Sequence, residues 1–173
     1  HAARAIWHLA QLIDTHSAIV QAGGISEQVQ LLKTGSPKAQ EMAAAGLSEL
    51  ALGAVQERAR LDAERHAAGL RIPSDILNTL NNESHEEDKD ADEETYDNSD
   101  QLVAIAEAGG IMPLVTLLTS GTTQARENAA GALWHLALDK SNQIAIARVN
   151  GISPLVTILD DGTEKAHKHA SDA

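Results

Sequence analysis

Apolar residues recur along this chain at the three- and four-residue spacing of helices, and glycines interrupt them at regular places. Ala125, Ala129, Ala132, Leu133 and Leu136 share one helical face, which predicts a helix from about Thr123 to Leu138. Asn142–Ala147 predicts a short helix closed by Asn150-Gly151, a pair suited to a left-handed stop. Ser153-Pro154 predicts the start of the next, with Ser153 as cap and Pro154 at the first helical position. That helix is expected to end at Gly162, as its counterparts end at Gly35 and Gly121. The pattern is a unit of three helices.

The unit repeats. Gly110-Ile111-Met112-Pro113-Leu114-Val115 recurs 41 residues later as Gly151-Ile152-Ser153-Pro154-Leu155-Val156, and Gly24-Ile25-Ser26-Glu27-Gln28-Val29 lies 86 residues before the first of these. A second marker, Ile6-Trp7-His8-Leu9-Ala10, returns as Leu47-Ser48-Glu49-Leu50-Ala51 after 41 residues and as Leu133-Trp134-His135-Leu136-Ala137 after a further 86. Both markers report a period of 41 and one insertion of 45 residues. A single unit cannot bury its own apolar stripe, whereas stacked neighbours can, so the expected architecture is an all-α solenoid. Its expected parts are a partial and a full repeat over 1–53, an inserted segment over 54–98, and a full and a truncated repeat over 99–173. The chain starts and stops inside third helices, so it reads as a cut-out from a longer protein.

Composition narrows the chemistry. There is no cysteine, which removes disulfides and thiolate metal sites and fits an intracellular setting, cytoplasmic or nuclear. No apolar run is long enough to span a membrane. The net charge of −12 argues against a nucleic-acid partner, which needs clustered Lys and Arg. Residues 54–98 hold 13 Asp and Glu against 5 Lys and Arg, so the charge is concentrated in the insertion. Its opening, 55–65, is rich in helix formers and is expected to extend the preceding helix. From Glu83 onward it lacks apolar periodicity, as disordered segments do. Asp88, Asp90 and Asp92 alternate as in a calcium loop, but Glu93 stands where the glycine belongs and Ser99 where the closing glutamate belongs. Ser84, Thr95 and Tyr96 sit in acidic surroundings that suit phosphorylation, and the tract 83–98 has the charge to compete for a basic ligand. The bland reading of the tract is a solvated charge run.

The string Ala129-Ala130-Gly131-Ala132-Leu133-Trp134-His135-Leu136-Ala137, followed by Asn142, Ile144, Gly151-Ile152 and Leu155-Val156, resembles an armadillo repeat, most like those of plant and protist armadillo proteins. The resemblance covers residues 2–53 and 99–173. It implies a right-handed solenoid of three-helix repeats whose third helices line a concave groove for an extended segment or a helix of another protein. In the importin-α pattern of that family a Trp is followed four residues later by an Asn. The Trp place falls here on Arg4, Ala45 and Gly131, and the Asn place on His8, Glu49 and His135, so neither residue type is retained.

Helical geometry defines the same face without the family, because positions 124, 127, 128, 131 and 135 lie along one stripe. Across the units the stripe offers Arg4 and His8; Lys38, Glu41, Ala45 and Glu49; Gln124, Glu127, Gly131 and His135; and Lys165, Lys168 and Asp172. The candidate groove residues are therefore Arg4, His8, Lys38, Glu41, Glu49, Gln124, Glu127 and His135. Trp7 and Trp134, one position off the stripe, are expected to pack between units. No catalytic motif, metal site or cofactor site is expected: there is no glycine-rich phosphate loop and no Gly-x-Ser-x-Gly elbow, and His167 and His169 point about 200° apart on a helix. The leading expectation is a protein-interaction scaffold. The alternatives are the substrate-recognition part of an F-box or U-box type ubiquitin ligase, or a structural, self-associating solenoid.

Overall fold

The computed structural model describes residues 2–67 and 100–161, and these form helices joined by short turns. α1 (Ala2–Ala10) is followed by a 3-10 turn (Ile13–Thr15), α2 (His16–Gln21), α3 (Gly24–Thr34) and α4 (Pro37–Ala67). After residue 99 come α5 (Asp100–Glu107), α6 (Ile111–Ser120), α7 (Thr123–Leu136), α8 (Lys140–Arg148) and α9 (Ile152–Asp161). The acidic tract 83–98, Gly162, and the last-unit groove positions Lys165, Lys168 and Asp172 lie outside the described residues. Among the described residues no single helix is long and apolar enough to cross a membrane.

One continuous core runs through the stack. α4 packs most extensively against α7, and also against α1 and α3. Both helices bury small residues, Ala43, Ala44 and Ala51 on α4 and Ala129, Ala130 and Ala132 on α7, which lets them pack closely. Leu47, Leu50, Leu114, Leu133 and Leu136 complete it with no exposed surface. α4 has 31 residues, a length of about 46 Å. Its outer end, beyond residue 56, is exposed and laced by Arg60 with Glu57 and Glu64 and by Arg65 with Asp62, pairs at helical spacing that suit a solvated helix.

Each corner between a first and a second helix is built alike. Gly23, Gly109 and Asn150 take left-handed φ values of 75°, 76° and 58°, and the next amide, at Gly110 and Gly151, bonds back to the carbonyl of Ile105 and Ile146 at 2.9 Å. Ser153 is not the cap that its position suggests. α9 starts at Ile152, and its first turn closes on the Gly151 carbonyl, as that of α6 closes on Gly110. Pro113 and Pro154 thus sit third in their helices, where a missing N–H costs nothing. Capping chemistry lies elsewhere: Thr122 accepts from the Ala125 amide, and Asp139 accepts from the Ser141 and Asn142 amides.

The exits of third helices are also satisfied by side chains. The His16 Nε2–H donates to the Ala10 carbonyl at 2.6 Å, and the Gln143 amide donates to the Ala137 carbonyl at 2.8 Å, each six residues on. Gly53 leaves room for the His16 ring, which a β-carbon there would strike. Gln28 is handled similarly. It is fully buried where Leu114 and Leu155 stand in the other units, and its amide lies over Gly46, whose counterpart in α7 is Ala132. Among the described residues both amide atoms of Gln28 lack a hydrogen-bond partner, a desolvation cost of about 1–3 kcal/mol.

Two outcomes are expected. Replacing Gln28→Leu together with Gly46→Ala installs the pair used at Leu114 and Ala132, and should raise stability in chemical denaturation by about 1–2 kcal/mol. Partial burial pushes the Asp139 carboxyl up. Hydrogen bonds from the Ser141 hydroxyl and the Asn142 and Ser141 amides, with Arg58 nearby, outweigh this and hold it below the usual carboxylate range. The native state therefore resists protonating Asp139, so its contribution is present at neutral pH and lost as pH falls through that lowered value. Asp139→Asn should flatten the acid limb of a stability–pH curve.

Candidate functional site

A cleft of about 510 Å³ opens across the third helices α1, α4 and α7. Two small, buried residues, Ala45 of α4 and Gly131 of α7, are among its lining. Met42 and Leu52 add apolar surface along α4. At one end the indoles of Trp7 and Trp134 line the cleft, with Ser48 between them in the sequence alignment of the units. Both indoles are half-buried, and each lies against the next residue's imidazole, Trp7 on His8 and Trp134 on His135, with ring centroids 4.6 Å apart. These tryptophans, expected to pack between units, are among the cleft's lining residues, and Ser48 stands at the equivalent place of the unit between them.

The expected groove residues divide into two sets. Lys38, Glu49, Gln124, Glu127 and His135 all line the cleft, and Asn128 lies with them. Arg4 and His8 are exposed on α1 and are not among the lining residues. Glu41 is only 8% exposed and does not line it either. Its carboxylate pairs with Lys38 and accepts from the Thr122 hydroxyl at 2.7 Å, while its carbonyl accepts from the Asn128 amide at 3.0 Å. Glu41 thus ties the start of α4 to the start of α7. The reason is register: on the stripe it is the position nearest the neighbouring third helix, so its side chain meets α7 before it meets solvent.

The electrostatics follow from that tie. The hydrogen bond from Lys38 holds the Glu41 carboxyl below the usual carboxylate range; burial opposes this, and Thr122 and the charge of Lys38 reinforce it. Lys38, Glu49 and Glu127 bring charges of both signs to the lining. Gln124 reaches back to Glu127 and Asn128 at 3.2 Å. Among the described residues no group of three His, Asp or Glu side chains could hold a metal ion. What the cleft offers is two aromatic faces, charged groups and amides, a set suited to non-covalent recognition.

The fold and cleft define a helical-repeat protein with an open groove along its third helices. Residues 98–138, which contain α5, α6 and α7, match the armadillo/β-catenin-like repeat. No curated protein matches it. Among solved structures it is similar to an engineered protein (26% identity, TM-score 0.48, covering 99% of this chain and 70% of that one) and to a designed armadillo repeat protein (25%, 0.47, 99% and 72%). It is also similar to computationally designed armadillo repeat proteins for modular peptide recognition (24%, 0.46, 99% and 72%).

Glu41→Ala should lower stability by about 1–2 kcal/mol through loss of a charge-assisted hydrogen bond between helices. Glu41→Gln, which can still accept from Thr122, should lose less. Because the carboxyl is held low, the difference between wild type and Glu41→Gln should shrink as pH falls through its folded value in urea titrations.

Proposed function

We propose that the chain is a protein-interaction scaffold and that the cleft across α1, α4 and α7 receives an extended segment of a partner protein. The observation that carries this reading is the pair of indoles, Trp7 and Trp134, lining one open cleft together with Ala45 and Gly131. Large apolar rings lining a groove beside amides are a usual composition of a peptide-binding surface. Lys38, Glu49 and Glu127 put charges of both signs around the indoles, which suits a segment whose polar side chains alternate with apolar groups that pack on the rings. The groove acts by holding and orienting that segment.

The chain contains two tryptophans, and both line the cleft, so its intrinsic fluorescence reports cleft occupancy directly. Titrating the 173-residue chain with a pool of extended peptides of fixed length and varied sequence should shift the emission for the members that bind. Glu49→Ala with Glu127→Ala should weaken that binding by about tenfold, with far-ultraviolet circular dichroism unchanged. If no peptide moves the emission while a partner is still captured from lysate, the binding surface lies outside the cleft.

A further inference from the structure

Small residues stand in the middle of the cleft, and large apolar ones stand around them. Along α4 the lining includes Met42, Ala45, Ser48 and Leu52, which recur at the spacing of one helical face. The two large members, Met42 and Leu52, end that row, and the two small ones, Ala45 and Ser48, lie between. On either side of α4 the row is flanked by Trp7 of α1 and Trp134 of α7, each at the place equivalent to Ser48 in its own unit. α4 packs against both of those helices, so the indoles start from backbones two helix spacings apart, about 8–10 Å each. Trp7, Ser48 and Trp134 all line one cleft of about 510 Å³, so open space runs from one indole over Ser48 to the other. Its walls come from three successive third helices with α4 in the middle, which places the hollow within the stack and not at its end.

The walls are held in place. Each indole lies against the next residue's imidazole, with ring centroids 4.6 Å apart, and Glu41 fixes α4 to α7 through Thr122 and Asn128. Met42, Leu52, Trp7 and Trp134 are all half-buried, so each keeps apolar surface in contact with water. A single wide apolar group entering between them covers part of all four at once. An aromatic ring gains further from ring contacts with the indoles, beyond the area that it buries. The half-buried Ser48 hydroxyl can meet the polar edge of such a ring, a phenol or an indole N–H.

We propose that this hollow is a pocket for one aromatic side chain of the partner segment, and that Ser48 determines the specificity by setting its size. The proposal rests on the cleft being the binding surface and adds which side chain it selects. A third tryptophan at position 48 would continue the row of indoles and occupy the space that the ligand's ring needs. The serine thus turns a row of rings into a row with one vacant place, which the partner fills.

Selection of short random peptides displayed on phage against the 173-residue chain tests this. The selected sequences should share one position held by Trp, Tyr or Phe. Anisotropy of a labelled selected peptide then gives its affinity without using the chain's own tryptophans. Changing the shared aromatic to Ala should weaken binding to the wild type by about tenfold or more. Ser48→Trp installs the residue that α1 and α7 carry at the same place, and Ser48→Leu is a smaller filling. Each should weaken the aromatic peptide by about tenfold and abolish its advantage over the Ala peptide, whereas Ser48→Ala should retain both. Circular dichroism and a thermal melt establish that the variants fold. Selected peptides without a shared aromatic, or an aromatic peptide that binds the Trp and Leu variants as tightly as the wild type, would overturn the pocket and leave the cleft as the binding surface. A selection that yields no peptide able to shift the wild type's tryptophan emission would overturn both.

Discussion

The close approach of α4 and α7 is the constraint from which the rest of the molecule follows. Two helices can lie this near only if their facing residues are small, and alanines and glycines provide that along both. Once the backbones are close, the second helices α3 and α6 have leucine and valine rows to cover, and the first helices must turn sharply to stack behind them. The cleft is a product of the same economy of size. Ala45 and Gly131, both buried, belong to its lining as well as to the packed helices.

Much of this was legible in the sequence, for a definite reason. The helix corners depend on Gly23, Gly109 and Asn150 taking a left-handed turn, and on the glycine that follows each; those are residue-type signals that repeat at fixed distances. The leucines of α7 were legible because a buried stripe must recur every three or four residues. The helix start at Ile152 was not, because Ser153-Pro154 is a local signal, and the preceding glycine's carbonyl outcompetes it by closing the first turn one residue earlier. For a helix boundary the backbone has the last word.

The candidate site was legible as a face and less so as a set of side chains. Helical spacing placed Lys38, Glu49, Gln124, Glu127 and His135 on one stripe, and they line one cleft. The same spacing put Glu41 there, but the distance to the neighbouring helix, which no single-helix projection contains, drew it into a contact with Thr122 and Asn128. The tryptophans fell outside the stripe by one position, and a ring as wide as an indole reaches across that difference. The signal that could have found them was the alignment of Trp7, Ser48 and Trp134, in which a small residue alternates with two large ones.

The pairing of Gln28 with Gly46 has a consequence for how such a chain can change over generations. In one unit a buried amide lies against a glycine; at the equivalent place in the next, Leu114 stands with Ala132. Each pairing spans a second and a third helix of the same unit. Genetic exchange that moves whole units keeps both partners together and preserves the fit. Exchange with a breakpoint between the second and third helices sets an amide against a methyl group, or a leucine over a gap. The buried pair therefore marks the three-helix unit as the smallest piece of this array that recombination can pass on intact.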